Sequence, residues 1–88
     1  MRFDIVVEVR PLEGIADPEG QTIERALPAL GFDGAEGLSV GKVVRFALEA
    51  ADAAAAEAEV HQMCERLLAN PVIERYDVAV RPAGERRP

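Results

Sequence analysis

Four apolar residues at alternate positions, Phe3, Ile5, Val7 and Val9, run through the first segment of this chain, with Arg2, Asp4, Glu8 and Arg10 among them. A period of two buries one face of a β-strand and wets the other, so the fold must contain a sheet with one covered face. The chain has 88 residues, which allows one domain near the lower limit for independent folding. Hydrophobic residues make up 49% of it, enough for a thin core and little more. A domain this small gains stability from association that hides further apolar surface.

Pro11 ends the first ladder, and a loop through Gly14 leads to a helix start. Asp17 suits the N-cap, and Pro18 suits the first helical position, where its missing N–H costs nothing. Ile23, Ala26, Leu27 and Leu30 follow at helical spacing, and Gly31 closes the pattern. Pro28 lies inside it and predicts a kink or a loosened last turn. Further on, Leu38, Val40, Val44, Phe46 and Leu48 share one parity, with Lys42 as the polar intruder. This predicts one long strand, bent or bulged at Gly41, with a hairpin at Gly41-Lys42 as the alternative. Roughly 13 residues at ~3.3 Å each reach about 43 Å. A compact domain of this length has a radius of gyration of about 12 Å and a width near 30 Å. One arm of the strand is therefore expected to overhang, and an overhanging edge invites a second subunit. A dimer or larger assembly follows.

Asp52 is expected to cap a second helix through an alanine-rich start, with Ala56, Val60, Met63, Cys64 and Leu67 as its buried stripe. Asn70-Pro71 stops it. Val72 to Arg81 reads as a last strand with Tyr76, Val78 and Val80 on one face. Residues 81–88 read as a frayed polar tail. The expected fold is a single α+β domain over residues 1–80. It is a two-layer sandwich in the order β-α-β-α-β with a long, bent second strand and an antiparallel-leaning sheet, and its two helices lie on one face.

The balance of 16 acidic to 10 basic residues, net −6, argues against nucleic acid and against an anionic membrane. No apolar run is long enough to span a bilayer. Met1-Arg2-Phe3-Asp4 does not read as a signal peptide. A single cysteine excludes an intrachain disulfide and fits the reducing cytoplasm. Nucleophilic catalysis needs a nucleophile, a base and an orienting group. Ser39, Thr22, Cys64 and His61 show no spacing that brings them together. Cys64 reads as a packed, inert thiol, and His61 as a helix-surface residue. One histidine and one cysteine make a poor metal set. Asp52, Glu57, Glu59 and Glu65 read as a solvated helix face. Gly41-Lys42 lacks the preceding glycine of a phosphate-binding loop, since position 36 is Glu36.

Two features remain. The loop of Gly14, Asp17, Glu19 and Gly20 is explained by capping, except for Gly20. Glycine at a third helical position costs about 0.5–1 kcal/mol relative to alanine, which points to a close approach by some neighbour. Lys42 is the other feature. It either fills a gap at the bulge, pairs with an acid or meets a partner.

The order and spacing of Asp17-Pro18-Glu19-Gly20, Ala26-Leu27, Leu30-Gly31-Phe32, Val40-Gly41-Lys42 and the run Cys64 to Glu74, followed by Tyr76, resemble the PurS family over residues 3 to 80. PurS is the small subunit of phosphoribosylformylglycinamidine synthase. Pro28 and the alanine run 53–56 depart from the family pattern. The resemblance implies a non-catalytic subunit of an ATP- and glutamine-dependent ligase of purine biosynthesis. As a dimer or tetramer, it would bridge a synthetase subunit, which uses ATP and magnesium, and a glutaminase subunit, which releases ammonia. No catalytic, cofactor-binding or metal residue is expected on this chain. Gly14, Asp17, Glu19, Gly20, Gly41 and Lys42 are the expected partner interface, and Val40, Val44, Phe46 and Leu48 the expected dimer strand. The competing expectation is a dimeric regulatory module that binds a small molecule. A stand-alone phosphatase would need an arginine-bearing phosphate loop after the first strand, and none is evident.

Overall fold

The computed structural model describes residues 1–85. Strand β1 (Arg2–Pro11) forms where the alternation places it, with Phe3, Ile5, Val7 and Val9 each 2% exposed or less. It is the middle strand of a three-stranded sheet, flanked by β2 (Lys42–Glu49) and β3 (Glu74–Pro82), and both pairings are antiparallel. The register lines up rows across the sheet: Val44–Val7–Val78, Phe46–Ile5–Val80 and, at one end, Lys42–Val9–Tyr76. Directly opposed side chains share a face, so these rows form the covered side. The other side carries Glu8, Arg45, Arg75 and Asp77, all exposed.

Helix α1 (Pro18–Ala26) starts as expected. Asp17 caps it, accepting from the Gly20 N–H at 3.0 Å, and Pro18 is its first residue. Pro28 neither kinks the helix nor continues it. Having no N–H to give to an earlier carbonyl, it ends the α-turns and starts a 3₁₀ turn over Pro28–Leu30, which Gly31 closes at φ 96°. Helix α2 (Ala53–Met63) is capped by Asp52, which accepts from the Ala55 N–H at 2.8 Å. It lies across the covered face, and Ala56, Val60 and Cys64 complete the core with the β1 side chains.

The expected α2 stripe needs one correction. Residues Cys64–Leu68 form a π-helical turn, with the Ala69 N–H donating to the Cys64 carbonyl at 3.0 Å. The wider turn changes the phase of the helix. Leu67 therefore faces solvent at 82% exposure, while Leu68 and Ala69 take the inner side.

The long second strand also needs correction. β2 is eight residues, all opposed to β1, and the chain before Lys42 leaves the sheet. Two contacts explain this. The Gly41 backbone lies so close to the Val9 carbonyl that a Cβ would collide with it. The Leu38 and Val40 amides, which a ladder would have used, are taken by the carboxylates of Glu24 and Asp17 at 2.9 Å each. The overhanging arm is thus absent. The molecule is nonetheless elongated, 50 × 34 × 14 Å with a radius of gyration of 16.6 Å, against about 12 Å for a compact chain of this length. α1 buries only Gly20, and Ile23, Leu30 and Phe32 remain exposed. β3 continues through Arg81 and Pro82 into a 3₁₀ turn at Ala83–Glu85. Positions 86–88 of the expected tail lie outside the described residues.

Candidate functional site

The loop after β1, the start of α1 and the segment before β2 meet at one end of the sheet. The Leu12 N–H donates to the Ile73 carbonyl at 2.9 Å, which carries the β1–β3 pairing one step past Pro11. The chain then turns through Gly14, at φ 87°, into Asp17. The Asp17 carboxylate does two jobs. One oxygen caps α1 at Gly20; the other accepts from the Val40 N–H, 23 positions later. Glu24, seven positions on and thus two turns along the same side of α1, accepts from the Leu38 N–H. Two carboxylates spaced along one helix face therefore hold an extended segment by its alternate amides, as a neighbouring strand would.

This geometry accounts for the glycines that capping leaves unexplained. A Cβ on Gly20 would run into the Asp17 carboxylate, so the close neighbour is the cap itself, and Gly20 is buried beneath it. Gly41 admits the close approach to Val9. Gly14, Glu19, Gly41 and Lys42 are exposed, and Asp17 is half-buried. Lys42 is ion-paired with no described carboxylate and stands at the sheet's end beside the Gly41 bend. Of the expected dimer strand, Val44, Phe46 and Leu48 lie on the covered face of β2, half-buried because α2 sits over β1 and β3. Val40 lies outside the strand.

Glu24 escaped the sequence reading, although its spacing from Asp17 was visible. So did a second cluster. His61 near the end of α2 and Glu65 in the π-turn that follows straddle Tyr76 of β3, whose hydroxyl donates to Glu65 at 2.7 Å and lies 3.3 Å from His61 Nδ1. The hydrogen bond to the Glu65 carboxylate, then burial and the nearby negative charge, push the Tyr76 hydroxyl up to about 12. Burial, with the Glu65 charge added, pushes the Cys64 thiol up as well, which makes it a packed rather than a reactive sulfur. After α2 the chain turns on Asn70. Its side chain accepts from the Val72 N–H at 3.1 Å, its carbonyl accepts from Ile73 and Glu74, and its own N–H donates to the Glu74 carboxylate at 2.7 Å. Asn70-Pro71-Val72-Ile73-Glu74 is thus a self-bonded turn that delivers Tyr76 to His61 and Glu65.

A half-covered antiparallel sheet with α1 held at its end, an exposed apolar helix face and side chains committed to shaping backbone defines a small α+β assembly module. A family model described as phosphoribosylformylglycinamidine (FGAM) synthase, PurS, matches residues 4–82. The subunit PurS of phosphoribosylformylglycinamidine synthase from Archaeoglobus fulgidus is 45% identical, over 92% of this chain and 99% of that protein. The crystal structure of the PurS subunit of Thermotoga maritima superimposes with a TM-score of 0.84 at 34% identity, covering 91% of this chain and 92% of that one. A chain in the structure of PurLQS from the same organism matches with a TM-score of 0.84, also at 34% identity, covering 91% of this chain and 98% of that one. This chain belongs to the PurS family, accessory subunits of phosphoribosylformylglycinamidine synthase in purine biosynthesis. The resemblance read from Asp17-Pro18-Glu19-Gly20 and the Cys64–Glu74 run is thereby shown. No described helix is long and apolar enough to cross a membrane.

Proposed function

We propose that this chain is the structural bridge of its synthase, an oligomer that docks a glutaminase subunit against an ATP-dependent synthetase subunit so that ammonia passes between them. The observation that carries this reading is the match, over 98% of that partner-bearing chain, to a PurS subunit inside a PurLQS assembly. The physical need is clear: ammonia released into water is protonated and lost, so the two sites must share an enclosed path. The exposed surface of Gly14, Glu19, Gly41 and Lys42 is the docking face, shaped from beneath by Asp17 and Gly20. Val44, Phe46 and Leu48, half-buried in the protomer, meet a second copy beside Val40. ATP and magnesium belong to the synthetase subunit, with no cofactor on this chain, and the complex works in the cytoplasm.

The test is turnover of ATP by the synthetase and glutaminase subunits with and without this chain, fed glutamine or ammonia. The bridge restores the glutamine reaction and leaves the ammonia reaction unchanged. If glutamine-driven turnover is equal without the chain, the bridging role is lost.

A further inference from the structure

The chain exposes 6482 Å² of surface, whereas a compact monomer of its 9.5 kDa exposes about 5,000 Å². The surplus, roughly 1,400 Å², exceeds the ~800 Å² that each partner hides in a standard interface. Two apolar places contribute to it, and they are complementary.

One is the arm formed by α1 and the 3₁₀ turn after it. Ile23 and Leu27 stand four apart on one side of the helix, and Leu30 continues their line, because positions three apart stack in a 3₁₀ turn. Leu30 is 70% exposed, and Phe32 just beyond it 60%. The other is the strip of covered face along β2. α2 lies over β1 and β3, so Val44, Phe46 and Leu48 border an open lane beside it. The lane is roughly 26 Å long at ~3.3 Å per residue, and the arm roughly 20 Å at ~1.5 Å per residue. The arm does not reach the lane of its own chain. Asp17 and Glu24 tie α1 to the Val40 and Leu38 amides, which fixes it at the end of the sheet. An arm and a lane that belong to one chain but do not meet within it are the two halves of a self-complementary contact.

We propose that two copies exchange these arms. The Ile23, Leu27 and Leu30 stripe and Phe32 of one copy lie along Val44, Phe46 and Leu48 of the other, beside its α2, and a two-fold axis returns the same contact. Each sheet then carries two helices on its covered face, the second supplied by the other copy. This exchange rests on the oligomer of the bridging reading and names the part of the second copy that meets β2.

The experiment mixes isotope-labelled and unlabelled full chain in equal amounts and records isotope-filtered NOEs, which report contacts between copies alone, beside sedimentation of the same sample. Contacts from the Leu30 methyls and the Phe32 ring to the methyls of Val44 and Leu48 are expected. Leu30→Glu, open to solvent in the protomer, should keep a dispersed amide spectrum and weaken the dimer at least about tenfold. A dimer that lacks these NOEs, or that Leu30→Glu leaves equally tight, overturns the exchange and leaves the oligomer standing, with the arm free for another subunit of the synthase. A chain that sediments as a monomer overturns the exchange and the oligomer together, while glutamine-driven turnover still decides the bridging role by itself.

Discussion

At the residue scale, Asp17 carries more structure than any other side chain at the end of the sheet that holds α1. Asp17→Ala leaves two amides, of Gly20 and Val40, without their acceptor, and urea denaturation should show a loss of about 2 kcal/mol. Asp17→Asn keeps a single acceptor oxygen and should lose about half as much. Tyr76 offers a spectroscopic counterpart. Its phenol should titrate near pH 12 by absorbance at 295 nm, well above its usual range, and Glu65→Gln should bring it back down. The sign follows from the raised folded-state value. The Tyr76–Glu65 contribution to stability is complete below the usual tyrosine range and is lost as pH climbs towards 12. Cys64, fully buried with its thiol pushed up, should resist a disulfide reagent in the native protein and react at once in urea.

The element scale shows why the sequence was legible in some places and opaque in others. β1, β3 and α2 follow local rules: alternation for Phe3 to Val9, an Asp52 cap with alanine behind it, a stop at Asn70-Pro71. The family motif was readable for the same reason, since its residues are caps and turns. The failures are tertiary. Leu38 and Val40 have strand parity, but parity cannot reveal that Glu24 and Asp17 will take their amides. Leu67 has helical spacing from Val60, but spacing cannot reveal a π-turn. The strap before β2 makes its own prediction. In hydrogen exchange, the Leu38 and Val40 amides should be protected and the Ser39 amide between them should exchange quickly. Glu24→Ala should release Leu38 alone.

At the scale of the whole molecule, one helix covers a three-stranded sheet, and the β2 row of Val44, Phe46 and Leu48 is left half-covered. Sedimentation should therefore find at least twice the mass of one chain, with dilution lowering the thermal midpoint, since association and folding are then one equilibrium. The placement of β1 at the centre of the sheet has a consequence for the order of events during synthesis. Its partner β3 is the last of the described strands to be made, and Phe3 pairs with Pro82, 79 positions downstream. A nascent chain can zip β1 to β2, but it cannot close the covered face until β3 has left the ribosome. Contacts this distant slow folding, so the newly made chain waits with Phe3, Ile5, Val7 and Val9 in water, a window in which chaperones or sister chains have first access to them.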